Sequence, residues 1–596
     1  MTLSSSEIRE VILMKKGLST LLAIFVVFSM ILSVVGCQGN KSSGESNVQS
    51  TSEDTSPATT AQTTSNQESE PVDQFGKYTP AIELTAIRGI PAGSTEANYT
   101  DNVWIQEYEK QLGIKLKYKW MVIGDQYEQK VNLMLASNDL ADVMQVNLRQ
   151  LYQMAEAGQI QDLKAVWDAY ATDQVKAAMT AGGTSSFDIA TIDGKLYGIP
   201  AVVPILESMH VLYVREDWRK ELGLPEPKTI DDMEKIMYAF RDQDPNKNGE
   251  KDTLGIGLNK NLFTNGYEIT SFCNMFGAYP RAWVEDANGN LQYGGIMPEM
   301  KEALLRLNKY YKEGLIDKEF TVKDEDKASQ SVAKEQLGMF FGVQWASFIG
   351  DAVPSAFKNN ENCEWTIYQL PDGPKGPTKP IVYNNTNSFL VVSSECKYPE
   401  APVKINNYIH LMGLGPQGEG RFAKTYEEWK ELWDVCGDGL WLPETVHGNI
   451  QRWINTFKAI ETGDTTEVNK NYLNIQQYTD VSNFLKDGRK MKNINGEEDL
   501  GLAAAAHGWV MSGKNFLKAI ELNDAGMLQY DRLGKYVSPT MIENQATLDK
   551  MELEIITRII VGDASIDEFD NYVEQWKSLG GEQITKELND WYSKNK

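Results

Sequence analysis

Short stretches of alternating apolar and polar residues are separated by stretches with helical spacing in the first half of this chain. Residues 81–88 (AIELTAIR) and 114–122 (IKLKYKWMV) alternate as half-buried strands do, and residues 141–146 form a third short apolar run. Between them, residues 102–112 and 126–136 carry apolar side chains three and four positions apart, as amphipathic helices do. This β-α-β-α-β order predicts an α/β sheet with crossover helices.

Two later stretches combine β-prone sequence with interruptions. Residues 195–215 (KLYGIPAVVPILESMHVLYVR) contain Pro200 and Pro204 between two β-prone segments, and residues 381–393 (IVYNNTNSFLVVS) have the same character. Because proline lacks a backbone donor and interrupts a strand, we expect the chain to cross between two lobes at residues 195–215. Residues 381–393 are the candidate for the return crossing. Beyond them the sequence is mostly helical. We expect Phe569, Tyr572 and Trp576, which stand at helical spacing within residues 567–592, to pack in a core.

An apolar run from Leu18 to Val35 stands near the start of the chain, after Lys15 and Lys16 and directly before Gly36-Cys37. This order resembles a bacterial lipoprotein signal, in which the cysteine receives a diacylglycerol and becomes the new N-terminus. The alternative is an uncleaved transmembrane helix, since the run just reaches across a hydrocarbon core of about 30 Å. The position of Cys37 favours the lipid anchor.

Composition indicates which partners, linkers and cysteine sites to expect. The chain has 58 Lys and Arg against 83 Asp and Glu, a net charge of −25, so a basic surface for nucleic acid is not expected. Residues 37–74 are rich in Ser, Thr and Gln, and such a segment predicts a flexible tether. The four cysteines after Cys37 match no zinc or CxxC spacing, so they could pair or remain free.

Catalytic motifs are not evident. The sequence has no Walker A loop, no GxSxG elbow and no HExxH pair. Residues 413–418 match GxGxxG, but they follow a helical stretch instead of a strand and contain Pro416, which argues against a nucleotide site. A pair of carboxylates for glycoside hydrolysis has no local signature, so that alternative stays open.

Residues 244–252 (DPNKNGEKD) match the front of an EF-hand calcium loop. Loop positions 1, 3, 5 and 9 carry side-chain oxygens and position 7 offers a backbone carbonyl; in chain order these residues are Asp244, Asn246, Asn248, Glu250 and Asp252. Gly249 stands at the sharp turn, but Gly255 stands where the loop ordinarily has a bidentate glutamate. A calcium ion would therefore need a ligand from elsewhere, or water. The alternative is a polar turn without metal.

Several segments together resemble the family-1 extracellular solute-binding proteins, the lipoprotein receptors of sugar ABC importers. Residues 193–200 (DGKLYGIP), 212–233 and 566–592 are similar to segments of that family. The loop at 244–252 resembles the calcium loop of its alginate-binding and oligosaccharide-binding branch, where an acid commonly follows the last aspartate and this chain has Thr253. The resemblance covers nearly everything after the tether and is specific for the family, not for a ligand.

The resemblance implies an α/β, two-lobe periplasmic-binding-protein (type II) fold with an interlobe cleft and a helical C-terminal part. Hinged lobes would close over the ligand. The expected division is a signal peptide at 1–36, a tether at 37–74, first-lobe segments at 75–205 and 386–450, a second-lobe segment at 206–385, and a helical part at 451–596 that belongs mainly to the second lobe.

The same resemblance implies that aromatic rings stack on sugar rings and polar side chains bond their hydroxyls. The candidates by position are Arg88, Asn147 and Arg149 in the first lobe, Glu207 and His210 at the crossing, and Trp283, Trp345, Trp441 and Trp509. Trp345 is favoured because it follows the apolar run 337–341, which predicts a strand. For the other tryptophans, core packing is an equal alternative.

The implied function is that of a monomeric receptor without catalytic activity, lipid-anchored at the extracellular face of the cell membrane. It would capture an oligosaccharide and deliver it to an ABC transporter permease. The sequence has no ATP-binding motif, so a partner would supply the energy. Two alternatives remain: a surface-anchored polysaccharide-degrading enzyme, and a receptor for peptides or other polar solutes.

Overall fold

The computed structural model of the chain describes most residues after the expected tether. The described residues are 72–90, 95–180, 185–202, 204–383, 386, 388–413, 448–470, 472–492, 496–533 and 536–595. The apolar run before Cys37 and the tether up to residue 71 lie outside them. Among the described helices, none is both long enough and apolar enough to span a membrane.

The first lobe is built on a five-stranded mixed sheet. In spatial order its strands are Ile114–Ile123, Ile82–Ile90, Val143–Val146, Phe389–Val392 and Ile199–Pro200. The first three are parallel, whereas Phe389–Val392 runs antiparallel to both of its neighbours. The three predicted early strands are therefore confirmed, and the sheet is completed by strands from the two predicted crossing stretches.

The helices of the first lobe begin where the sequence offers caps. The side chain of Asn102 accepts from the backbone N–H groups of Trp104 and Ile105, and the predicted helix continues through a π-helical turn, Tyr108–Leu112. The helices of this lobe are Ala97–Thr100, Val103–Glu107, Gly124–Ser137, Leu148–Glu156, Lys164–Tyr170, Asp173–Thr180, Ser185–Ala190 and Ala401–Gly413.

The second lobe contains a three-stranded antiparallel sheet in the order Met339–Gly342, Val211–Arg215, Trp365–Tyr368. Three small strand pairs complete the described sheets: Thr191–Ile192 with Lys195–Leu196, Trp283–Glu285 with Leu291–Tyr293, and Ile381–Val382 with Gln529–Tyr530. The helices between residues 205 and 360 are Ile205–Ser208, Glu216–Glu221, Ile230–Asp242, Thr270–Asn274, Gly294–Ile296, Met300–Lys312, Phe320–Val322, Glu325–Ala333, Ala346–Asp351 and Ala352–Asn359.

The C-terminal part is mostly helical and packs on the second lobe. Its helices are Gly448–Thr462, Val468–Lys470, Tyr472–Lys486, Leu500–Asp524, Pro539–Val561, Glu568–Trp576, Lys577–Gly581 and Glu582–Asn595. Ile556 and Trp576 are buried in the same apolar cluster as Leu304 and Phe240. Phe569 and Tyr572 are buried there too, so the predicted core role of the C-terminal aromatic residues is confirmed.

Two crossing segments join the lobes side by side. Near the first sheet, the Ala201 N–H donates to the Ser388 carbonyl at 2.8 Å. On the second-lobe side, the Tyr383 N–H donates to Ser208 Oγ at 2.8 Å. Each stretch predicted to cross between lobes has one strand in the five-stranded sheet and another strand outside it, and the two stretches hydrogen-bond to each other.

The described cysteines after residue 71 are Cys273, Cys363 and Cys396, and all three are buried and free. Cys436 lies outside the described residues. The alternative in which these three cysteines pair with one another is thereby excluded. Burial raises the pKa of the Cys396 thiol to about 11, which keeps it protonated and unreactive at neutral pH.

Candidate ligand-binding site

The first-lobe candidates lie at one edge of the first sheet. Arg88 stands near the end of strand Ile82–Ile90, and Asn147 and Arg149 directly follow strand Val143–Val146. Because these two strands are parallel, their carboxyl ends meet at the same edge. In open α/β sheets, ligands bind in the crevice outside such carboxyl ends.

Arg88 is held by two tyrosines beside a small cavity. Its guanidinium lies 4.4 Å from the centre of the Tyr99 ring, and its Nη1 donates to the Tyr118 hydroxyl at 3.4 Å. A cavity of about 100 Å³ is lined by Arg88, Tyr118 and Gln145, among other residues. The amide of Gln145 donates to Ser388 Oγ at 2.7 Å, so the cavity adjoins one of the crossings.

Asn147 and Arg149 share a carboxylate partner on the neighbouring helix. Asn147 caps helix Leu148–Glu156, forming a capping box with Gln150, and its Nδ2 also lies 3.3 Å from Glu128 Oε1. Arg149 Nη2 lies 3.1 Å from the same oxygen. This ion pair is exposed, and such pairs contribute at most about 1 kcal/mol, so a ligand could displace it at low cost.

The crossing carries buried acidic groups. Glu207 lies in the short helix Ile205–Ser208 and is buried. His210 Nδ1 lies 3.0 Å from Oε1 of Glu268, whose side chain is wholly buried. Glu268 also accepts from the Ser271 N–H. Sequence reasoning missed Glu268 because it belongs to no motif and only the fold brings it to His210.

Trp345 combines a fixed backbone with an exposed ring. The Tyr213 hydroxyl donates to the carbonyls of Val343 and Gln344 at 2.8 and 3.1 Å, and the Ser512 hydroxyl donates to Gln344 at 2.7 Å. The side chain of Trp345 is nevertheless 40% exposed. A rigid, solvent-exposed aromatic face can bind an apolar ligand surface with little loss of conformational entropy.

Trp509 forms an exposed aromatic pair with Phe348. Trp509 is 43% exposed, and its ring centre lies 4.8 Å from that of Phe348 and 6.4 Å from buried Trp453. Gly508 makes room for this pair, since a Cβ there would lie 2.5 Å from the Phe348 ring. Phe348 follows Trp345 by three residues. The Phe348 N–H donates to the Trp345 carbonyl at 2.9 Å, which places Trp345 one turn before the pair. We call Trp345 and the Phe348–Trp509 pair the aromatic platform.

Trp283 has a different environment. It is 2% exposed, with ring centres of Tyr293 and Trp576 at 5.4 and 6.2 Å. Its backbone N–H donates to Asp531 at 2.8 Å. We therefore assign Trp283 to the core and do not include it in the site proposed below. Trp441 lies outside the described residues.

The loop at 244–252 adopts the sharp turn that its sequence predicts. Gly249 has φ +81°, in the left-handed region that glycine tolerates, and its N–H donates to Asp244 Oδ2 at 3.0 Å. Asn248 Oδ1 accepts from the Glu250 N–H at 2.7 Å. Asp244 Oδ1 is buried without a hydrogen-bond partner. A buried, unsatisfied carboxylate oxygen is one that a cation would stabilise.

Three amide side chains surround Asp252. Asn246 donates to its Oδ1 at 3.2 Å, Asn248 to both oxygens at 3.1 Å, and Gln336 to its Oδ2 at 2.9 Å. Burial raises the pKa of Asp252, but the hydrogen bonds outweigh it and the net shift is downward. Sequence reasoning missed Gln336 because it lies 84 residues beyond Asp252.

The loop differs from a site made of acids alone. In the described part of the chain, no three His, Cys, Asp or Glu side chains gather as a metal-binding group. The loop instead presents the two carboxylates of Asp244 and Asp252 together with amide groups. Carboxylate and amide oxygens are both suitable ligands for calcium.

The chain is similar in sequence to known proteins. Residues 92–405 match the family model described as bacterial extracellular solute-binding protein. Lipoprotein LipO of Bacillus subtilis is 24% identical over 513 residues, which cover 85% of this chain and 92% of LipO.

Two solved structures share this fold with the chain. The alginate-binding protein AlgQ2, solved without calcium ion, superposes with a TM-score of 0.60 at 17% identity, covering 86% of this chain and 98% of AlgQ2. An EF-hand mutant of the Streptococcus pneumoniae ABC-transporter substrate-binding protein FusA, in complex with fructo-nystose, gives 0.58 at 16% identity, covering 86% and 100%. At these identities the likeness establishes the fold alone, and it confirms the predicted two-lobe α/β architecture.

Proposed function

Because the chain belongs to the family of bacterial extracellular solute-binding proteins, we propose that it captures an oligosaccharide and delivers it to an ABC transporter permease. The family predicted from residues 193–200 and 212–233 is thereby confirmed. The aromatic platform is the single observation that best supports a sugar as the ligand.

The platform suits the apolar faces of sugar rings. Trp345 and Trp509 each leave about two fifths of the side chain exposed, although large aromatic residues usually bury their surface. A pyranose or furanose ring carries C–H groups on its faces and hydroxyls at its edge. Stacking would cover the exposed tryptophan faces, and edge hydroxyls would remain available to polar groups.

Polar groups for those hydroxyls are available elsewhere. Arg88, Asn147 and Arg149 lie at the carboxyl edge of the first sheet, and Glu207 and His210 lie at the crossing. We propose that these side chains bond the edge hydroxyls when the lobes close over the ligand. Arg88, Asn147, Arg149 and His210 are already oriented by neighbouring side chains, which would lower the entropy lost on binding.

A thermal-shift screen with defined oligosaccharides tests the proposal. A ligand that binds only the folded state, at one hundred times its Kd, raises the free energy of unfolding by about 2.7 kcal/mol. We expect one class of oligosaccharide to raise the melting temperature, and calorimetric titration to confirm binding. Matched monosaccharides and oligopeptides are the controls. A rise with peptides and with no glycan would identify a receptor for peptides.

Analysis of the sugars left after incubation distinguishes a binding protein from a polysaccharide-degrading enzyme. We expect a bound oligosaccharide to be recovered at its original length after prolonged incubation with the purified protein. Release of shorter sugars, absent from a heat-denatured control, would establish a polysaccharide-degrading enzyme instead.

We further propose that Cys37 carries a lipid that anchors the receptor at the extracellular face of the membrane. The apolar run directly before Cys37 supports this, and a relative is named a lipoprotein. Intact-mass measurement of membrane-extracted protein should show a diacylglyceryl adduct, and Cys37→Ala should lack it. An unmodified Cys37 would contradict the anchor.

We also propose that the loop at 244–252 binds calcium in a structural role. The unsatisfied Asp244 oxygen and the oxygen-rich groups around Asp252 support it. In this proposal Asp244, Asn246, Asn248, Asp252 and the Glu250 carbonyl hold the ion. The ion would tie helix Ile230–Asp242 to the segment after the loop, where Leu254 forms a bridge with Leu337. Chelation should then lower the melting temperature, and Asp244→Ala should abolish the response to chelator.

A further inference from the structure

Thr253 and Gly255, the two positions after Asp252 at which calcium loops have a further acid, do not supply one here. The Thr253 hydroxyl donates to the Phe240 carbonyl at 2.6 Å, and Thr253 is buried. Gly255 has no side chain, and a Cβ there would lie 2.9 Å from Leu315. Neither position therefore offers a free side-chain oxygen to the loop.

The nearby acids Glu335 and Asp217 both form ion pairs with Arg215. Glu335 Oε1 lies 2.6 Å from Arg215 Nη2 and accepts from the Asn360 amide at 3.0 Å. Asp217 pairs with Arg215 Nε at 2.7 Å. The Arg215 side chain is wholly buried, so withdrawing either acid would leave a buried cation without a full complement of partners.

Gln336 is held beside the loop by the backbone. Its carbonyl accepts from the Leu254 N–H at 2.8 Å, and Leu254 forms a parallel bridge with Leu337. Its side-chain amide reaches Asp252 Oδ2 at 2.9 Å. From this placement we infer that Gln336 supplies the missing ligand, as a neutral amide oxygen from a distant segment. The inference rests on the calcium site proposed above.

Amide geometry permits this role. The nitrogen and oxygen of a carboxamide exchange places by a half-turn of the group, and which one faces a neighbour depends on that neighbour's charge. Here the nitrogens of Asn246, Asn248 and Gln336 lie 2.9–3.2 Å from oxygens of Asp252. Oxygens bound to one calcium ion at 2.3–2.6 Å lie about 3 Å from one another. Asn246 also donates to the Glu335 carbonyl at 3.1 Å and Asn248 Oδ1 accepts from the Glu250 N–H, so these two amides have further partners in their present orientation. A half-turn of the Gln336 amide alone places its oxygen at the spacing from Asp252 that a shared cation requires.

A neutral ligand has a consequence for affinity. With Gln336 in place of an acid, the site has two carboxylates, those of Asp244 and Asp252. Calcium affinity follows the number of charged ligands, and weakly charged sites of extracellular modules have Kd values of about 10⁻⁴–10⁻³ M. We expect this site to fall in that range and to tighten when Gln336 is made acidic.

The test is calorimetric titration of calcium chloride into the full chain after removal of metal by chelator. Gln336→Glu should bind calcium about tenfold more tightly than the parent, and Gln336→Ala about tenfold more weakly, as expected when ligand charge or a ligand is changed. The matched control is Thr253→Val, which removes a hydroxyl next to Asp252 and should leave the calcium Kd unchanged.

The melting temperature, measured with calcium and with chelator, gives a second readout. Gln336→Ala should show a smaller calcium-induced rise than the parent. Its melting temperature in chelator measures separately the loss of the Gln336–Asp252 hydrogen bond. If Gln336→Ala fails to fold, the calcium titration of Gln336→Glu still shows whether Gln336 is a ligand.

The experiments distinguish failure of the Gln336 role from failure of the calcium site itself. If both Gln336 variants bind calcium like the parent and Asp244→Ala does not bind it, Gln336 is not a ligand and the calcium site stands. If the parent binds no calcium, the calcium site and the role of Gln336 both fail. Oligosaccharide binding is measured separately and is affected by neither result.

Discussion

Two tryptophan regions of the second lobe show opposite uses of the same side chain. Trp345 follows a sheet strand, and Trp283 begins a small strand pair, yet one is 40% exposed and the other 2%. Tyr293 and Trp576 cover the Trp283 ring. At Trp345, hydrogen bonds fix the backbone and leave the ring in solvent. Packing by sequence-distant elements therefore decides which tryptophan can meet a ligand.

The largest expected contrast is in stability. Trp283→Ala would empty a buried aromatic site and should lower the free energy of unfolding by about 3–5 kcal/mol, as for other buried tryptophans. Denaturant unfolding measures this. Trp345→Ala is the matched control and should cost less than about 1 kcal/mol, since its ring is exposed. Equal losses in the two variants would contradict the assignment of Trp283 to the core.

The Trp283 region should also respond to pH. Glu552 is wholly buried beside Tyr293 and Arg281, and burial raises its pKa from 4.5 to about 7, although the Arg281 charge opposes this. Between these pH values the folded protein keeps a proton that the unfolded chain releases. Stability should therefore fall as pH rises from 5 to 7, by at most about 1.4 kcal/mol per pH unit for this group.

The matched variant is Glu552→Gln, whose neutral amide cannot ionise. The free energy of unfolding, measured from pH 5 to 7, should decline less with pH in this variant than in the parent. Asp531, which accepts from the Trp283 N–H, has a pKa raised by burial to about 6 and contributes in the same direction. Identical slopes in parent and Glu552→Gln would mean that Glu552 does not titrate in this range.

The smallest expected effect is on the free energy of oligosaccharide binding. Trp345→Ala should weaken oligosaccharide binding by about 1–3 kcal/mol, the loss typical of an aromatic anchor at a binding surface. Calorimetric titration with a ligand from the oligosaccharide screen measures it. Trp345→Phe should retain part of the affinity because it keeps an aromatic face. Unchanged affinity in Trp345→Ala would remove Trp345 from the proposed site.

The sequence predicted local structure better than it predicted the site. The alternating residues 81–88 and 114–122 became strands Ile82–Ile90 and Ile114–Ile123, because a half-buried strand needs only its own alternation. The environment of a tryptophan depends on distant partners, such as Trp576 over Trp283. Gln336 meets Asp252 for the same reason, so no local pattern could have indicated it.

The paired crossings limit how the lobes can move. The Ala201–Ser388 hydrogen bond joins the two segments at the first lobe, and the Tyr383–Ser208 hydrogen bond joins them at the second. Two segments that are hydrogen-bonded at both ends bend together more readily than they twist, because twisting strains the hydrogen bonds between them. We therefore expect the lobes to rotate about this pair of segments along one preferred direction. Such a hinge would bring the same two surfaces together at every closure.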